Sequence, residues 1–99
     1  MEASEIDLVE KSQQGNIEAF EKLISFYQKK VFNIAFRMMG NQDDASDIAQ
    51  EVFIKIYKSI GSFKKQSAFS TWVYKITINT CRDELRKQKN KRNTISLDQ

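Results

Sequence analysis

The chain reads as an all-α protein, a compact bundle of about four helices. Three observations carry this expectation: there is no proline, there are only three glycines (Gly15, Gly40 and Gly61), and apolar residues recur at three- and four-residue steps over long runs. Each glycine falls where a helical run should stop. With 99 residues the chain can form one small domain around one core, burying ~60–65% of the surface its unfolded form exposes.

The first element, "SEIDLVEKSQQ", has Ser4 as its N-cap, acidic residues in its first turn and Gly15 past its end. Asn16 then caps a long second helix to about Met39. Its residues Phe20, Leu23, Ile24, Tyr27, Val31, Ile34, Ala35 and Met38 share one face, which makes them core. After Gly40, "NQDD" offers caps for a third helix from about Asp43 to Ser59. Ala45, Ile48, Ala49, Val52, Ile56 and Ile60 form its buried stripe. Phe53 and Tyr57 lie beside that stripe, and Asp44, Asp47, Gln50, Glu51 and Ile54 stay outside or at its margin. Gly61 ends this helix, "SFKKQS" forms a loop, and Ser67 or Ser70 caps a fourth helix. Past Arg86, "KQKNKRNTISLDQ" is basic, then polar, with no apolar period, and reads as a frayed end or a linker.

The fourth helix, "FSTWVYKITINTCRDELRK", spends β-branched residues and an asparagine where alanine and leucine would form a better helix. At one residue per 100°, Lys75, Asn79, Arg82 and Arg86 fall in a stripe roughly 60° wide. Phe69, Trp72, Val73, Ile76 and Thr80 lie on one side of it; Tyr74, Ile78, Cys81 and Leu85 lie on the other. Lysine and arginine neutralise phosphates, while an asparagine amide offers the donor and acceptor that can read a base edge. Phe63, Phe69, Trp72 and Tyr74 are the aromatic side chains on which unpaired bases could stack, at ~1–3 kcal/mol each.

Composition narrows the function classes. At 40% hydrophobic and 29% charged residues the chain is too apolar for disorder. No run approaches the roughly 18 consecutive apolar residues of a membrane span, and "MEASEIDLVE" has no signal-peptide character, so an intracellular protein without membrane insertion is expected. Cys81 is the sole cysteine and histidine is absent, so intrachain disulfides, usual zinc clusters and His-based acid/base chemistry are excluded. With no Gly-rich phosphate loop either, an enzyme is the least favoured class, and no cofactor is expected. Charge is unevenly spread. Residues 1–50 carry 5 Lys/Arg against 9 Asp/Glu, a net −4, and residues 51–99 carry 11 against 4, a net +7. One half therefore suits a polyanion and the other a different partner.

Two stretches, "DDASDIAQEVFIKIYKSIGSF" and "SAFSTWVYKITINTCRDELRK", closely resemble region 2 of bacterial RNA polymerase sigma factors of the extracytoplasmic function (ECF) group. "GNIEAFEKLISFYQKKVFNIAFRMMGN" resembles the opening segment of that family, and "ISLDQ" resembles the start of the linker that follows region 2. The resemblance implies a sigma-2 helical domain over residues 1–90, with residues 91–99 starting a basic and polar linker toward a region 4 that is absent here. It implies binding to the clamp helices of the largest catalytic subunit of core RNA polymerase through Asp44, Asp47, Gln50, Glu51, Ile54 and Tyr57. It further implies recognition of the single-stranded non-template minus-ten promoter element by Phe63, Lys64, Lys65, Ser67, Ala68, Phe69, Ser70, Thr71, Trp72, Lys75 and Asn79. Arg82 and Arg86 would hold phosphates. A cytoplasmic setting and an anti-sigma factor as a further partner are also family expectations.

Two other readings stay open at this level. One is a protein-interaction bundle using the Phe53/Tyr57 edge; the other is a regulator of duplex DNA with the fourth helix in the major groove. The charge asymmetry weighs against the first, and the loop "SFKKQS", in place of a short turn, weighs against the second.

Overall fold

The computed structural model describes residues 4–97, with side chains described through Lys91. Five α-helices follow one another: α1 (Glu5–Gln13), α2 (Ile17–Ser25), α3 (Gln28–Met39), α4 (Gln42–Ser59) and α5 (Phe69–Leu97), with a 3-10 turn at Ile60–Ser62 between the last two. No strand occurs among the described residues. Nor is any described helix long and apolar enough to cross a membrane.

Three predicted caps form. Ser4 Oγ accepts from Asp7 N at 3.2 Å, Asn16 Oδ1 from Ala19 N at 3.0 Å and Asn41 Oδ1 from Asp44 N at 2.8 Å. Each satisfies an N–H that has no partner inside its helix, worth about 1 kcal/mol. Gly40 closes α3 at φ 84, a left-handed conformation that its missing Cβ permits, and its N–H donates to Phe36 O at 2.9 Å.

The single long second helix does not form. It breaks into α2 and α3, because Phe26 N and Tyr27 N close the end of α2 on carbonyls three residues back, Leu23 and Ile24, at 3.2 and 2.8 Å. The break turns Tyr27 inward, where its ring meets Phe69 edge-on at 5.5 Å and its hydroxyl donates to the Glu5 carboxylate. Burial above all, and then the adjoining carboxylate, push the Tyr27 phenol above the ordinary range.

The core threads all five helices. Leu23, Val31, Val52, Ile56, Val73 and Cys81 are fully enclosed. Of the expected stripe on the second helix, Phe20, Ile34 and Met38 are only half-buried, whereas the six stripe residues expected on the third are all buried, five on α4 and Ile60 in the 3-10 turn that follows it. Asp44 meets Gln88 and Lys55 meets Thr80, so α4 and α5 run antiparallel.

The fourth predicted helix is α5, and two details differ from expectation. Ala68, neither Ser67 nor Ser70, precedes its first residue, and Ala68 O accepts from Trp72 N at 3.2 Å. At the other end the helix does not fray past Arg86 but continues to Leu97. The lost apolar period there means lost burial, while Lys, Arg and Gln remain good helix formers behind an already nucleated helix. Asp98 and Gln99 lie outside the described residues.

Candidate nucleic-acid interface

Around α5, the buried residues Phe69, Val73, Thr77, Thr80 and Cys81 form one arc, centred opposite Lys75. The two groups expected on either side of the ridge are thus corrected to one continuous buried face centred on Thr77, which belongs to neither group. Trp72, Tyr74, Ile76 and Ile78 are half-buried shoulders, and Leu85 is exposed. The threonines are accommodated because Thr77 Oγ1 donates to Val73 O at 2.8 Å and Thr80 Oγ1 to Ile76 O at 2.7 Å, so each buried hydroxyl is satisfied within its own helix. Burial also raises the Cys81 thiol above its usual range, which keeps it unreactive.

Lys75, Asn79, Arg82 and Arg86 are all exposed, as a basic ridge requires. Arg86 also faces Asp83 across 3.7 Å, an exposed pair of small energetic weight. A groove of about 260 Å³ between α4 and α5 is lined by Glu51, Lys55, Asp83, Arg86, Lys87 and Asn90. It brings one residue of the expected polymerase set, Glu51, beside one of the expected DNA set, Arg86.

The loop before α5 is built on aromatic contacts. Phe63 sits 5.4 Å from Phe69 and 5.1 Å from Trp72, and Phe69 sits 5.6 Å from Trp72, measured between ring centroids. Phe63 and Phe69 are 8% and 6% exposed, which makes them anchors of the loop and not free faces for stacking. Trp72 remains half-buried, and Lys64, Ser67, Ala68 and Thr71 are exposed; Ser70 is half-buried. Lys65 has φ 60, a left-handed backbone uncommon outside glycine, and its ammonium pairs with Glu10 at 3.0 Å. Strain of this kind persists only where surrounding contacts impose it.

Those contacts come largely from α1, which sequence reasoning assigned no role. The Gln13 side-chain amide donates to Ile60 O at 3.0 Å and to Phe63 O at 2.9 Å. Between α1 and the loop lies an open, mostly apolar cavity of about 300 Å³. Glu5, Ile6 and Val9 line it from the α1 side, and Phe63, Lys65, Ser67, Ala68 and Phe69 line it from the other. No periodic pattern announces a long-range clasp of this type, because a lone glutamine at the end of a helix adds nothing to the apolar period.

On α4, Asp47, Gln50, Glu51, Ile54 and Tyr57 are exposed, the last two at 54% each. Tyr57 is steadied by Phe20, edge-on at 5.1 Å, and Glu51 lies 3.8 Å from Lys55. Asp44 is different. It is half-buried, and its Oδ2 accepts from Asn41 Nδ2 at 2.8 Å and from Gln88 Nε2 at 3.4 Å, so it ties α4 to α5 from within the fold.

Residues 23–91 match the family model described as sigma-70 region 2, which sets the class: a helical domain of transcription initiation factors. The chain belongs to that family, within its ECF group. It is 44% identical over 78 residues to the RNA polymerase sigma-H factor of Pseudomonas aeruginosa, covering 79% of this chain and 40% of the relative. It is 40% identical over 81 residues to the ECF factor SigW of Bacillus subtilis, covering 82% and 43%. With the ECF sigma-E factor of Haemophilus influenzae it shares 47% over 81 residues, covering 82% and 42%. The chain therefore spans about two fifths of the length of these curated relatives. Among solved structures it is similar to an engineered region 2 of sigmaE, determined by NMR in complex with GTAAAA. The TM-score is 0.83 at 37% identity, over 90% of this chain and 93% of that one.

Proposed function

We propose that the chain works as region 2 of an ECF sigma factor, binding core RNA polymerase and recognising and helping to open the promoter minus-ten element. The observation that carries this is the cavity between α1 and the loop, which lies at the N-terminal end of α5, has Lys65 in its wall, and precedes along that helix the exposed Lys75, Asn79, Arg82 and Arg86. An extruded base needs such a pocket, with apolar walls and a few polar groups, and the backbone it hangs from needs adjacent cations. The similar sigmaE domain in complex with GTAAAA supports the same reading. The role is one of binding, without a catalysed reaction, in the bacterial cytoplasm where RNA polymerase acts.

Within this reading Asn79 reads a base, Lys75, Arg82 and Arg86 hold phosphates, and Trp72 supplies the accessible aromatic surface. Phe63 and Phe69 form the cavity wall. The exposed face of α4, Asp47 through Tyr57, docks on the clamp helices of the largest catalytic subunit, with acidic and amide groups meeting cations and Ile54 supplying apolar area. An anti-sigma factor would act by covering either face.

The test is anisotropy titration of single-stranded GTAAAA, its single-base variants and the matching duplex at fixed salt. Asn79→Ala is expected to weaken binding by ~1–3 kcal/mol on the preferred strand and less on the variants. Equal losses on every sequence would refute base reading by Asn79. Tighter binding to duplex than to single strand would favour the duplex-regulator reading instead.

A further inference from the structure

We infer that Gln13 is a positioning residue for base recognition: acting from α1, it fixes the entry to the loop and thereby sets which base the cavity prefers. This rests on the proposed reading of loop and cavity as the DNA site. Gln13 sits at the end of α1, and both N–H groups of its amide are spent on the loop, at Ile60 O and Phe63 O. Those carbonyls stand at the two ends of one 3-10 turn. Ile60 O also accepts from Phe63 N at 3.1 Å, so the amide completes a bonded ring around the turn. Beyond it the chain leaves extended, with Phe63 at φ −65 and ψ 120.

The direction of exit decides where the next residues point. Phe63 and Lys65 both line the cavity, and Lys65 holds its left-handed φ only two positions past the clasp. A planar amide making two bonds in one geometry tolerates little displacement, and loss of both bonds frees the turn to relax the strain at Lys65. The cavity would keep its apolar walls but lose its defined polar edge. Gln13 is also neutral and faces carbonyls, not the basic ridge, so it contributes nothing to phosphate attraction. Its removal should therefore alter discrimination between bases and leave the salt dependence alone.

Gln13→Glu is the sharpest variant, since it keeps the shape and replaces two donors by acceptors facing two carbonyls. Gln13→Ala removes the bonds without adding charge and preserves α1, alanine being the best helix former. Gln14→Glu, at the exposed neighbouring position, controls for the added charge. Each is titrated with single-stranded GTAAAA and its single-base variants at several salt concentrations, with thermal unfolding in parallel. Both Gln13 variants are expected to lose about tenfold of the ratio between best and worst oligonucleotide, the size of one or two net hydrogen bonds. Their salt slopes should stay at the wild-type value, and Gln14→Glu should keep the full ratio. An undiminished ratio in Gln13→Ala, whatever happens to its melting temperature, would mean that Gln13 is merely structural and would overturn the inference. If the wild-type chain itself shows no preference among the strands, the proposed function fails first and the inference falls with it.

Discussion

The outward face of α4 and the loop before α5 are neighbours in the chain and opposites in construction. The α4 face is a regular helical surface presented by its own helix, with Tyr57 alone steadied from outside it by Phe20: Asp47, Gln50, Glu51, Ile54 and Tyr57 project because Ala45, Ile48, Ala49, Val52 and Ile56 are buried on the other side. The loop has no such internal logic. Its shape is imposed by an aromatic cluster beneath it, the Gln13 clasp and the Lys65–Glu10 pair, and two of these reach back some fifty residues to α1. A surface presented by a helix should therefore be tunable one residue at a time, whereas a surface assembled from distant parts should fail as a unit.

The largest expected effect tests the loop's foundation. Phe63→Ala deletes a ring buried against Phe69 and Trp72 and should cost ~3–5 kcal/mol in urea unfolding. Sequence preference for single strands should fall with it, while polymerase capture per folded molecule stays unchanged. A cost under ~1 kcal/mol would mean that the loop stands without its aromatic base. The complementary change on α4 is Ile54→Asp. It places a charge on a 54% exposed position, so stability should move by no more than ~0.5 kcal/mol. Capture of core RNA polymerase should nevertheless drop by at least about tenfold, since an apolar contact at the centre of an interface would be replaced by a desolvated carboxylate. Undiminished capture would move the docking surface off α4 and erase the contrast between the two regions.

The same contrast explains what could be read without coordinates. Helix identity, three of the caps and the buried stripe of α4 follow from period and from cap chemistry, which are local. The break at Phe26–Tyr27 was not legible, because it serves a tertiary demand: Tyr27 must reach Phe69 and Glu5. The continuation of α5 to Leu97 was missed for a related reason, since apolar period reports burial and an exposed helical extension buries little. Within the site, the exposed ridge of α5 was visible from angular spacing alone. Spacing puts Asp44 only at the margin of the α4 stripe, and the resemblance gives it to the polymerase surface; its carboxylate is also engaged by Asn41 and Gln88, a competition for hydrogen bonds that angles do not show. Gln13 and the cavity were invisible because they depend on where α1 docks.

The smallest expected effect concerns the ridge, where the two kinds of surface meet. Lys75 and Arg82 are presented by a helix, like the α4 residues, but they would serve the site that the loop assembles. If each holds one phosphate, replacing either by glutamine should reduce the slope of log affinity against log salt by about 0.7 on single-stranded DNA, with a uniform loss across sequences. Stability should barely change, because neither side chain is buried. The double variant should lose twice the slope, since additivity is the mark of independently presented residues. A loss that depends on sequence, or a double variant far from additive, would show that the ridge is coupled to the loop and shares its collective construction. In that case the helix would not be a passive scaffold for phosphate contacts, and base choice would involve α5 along its length and not only at the end nearest the cavity.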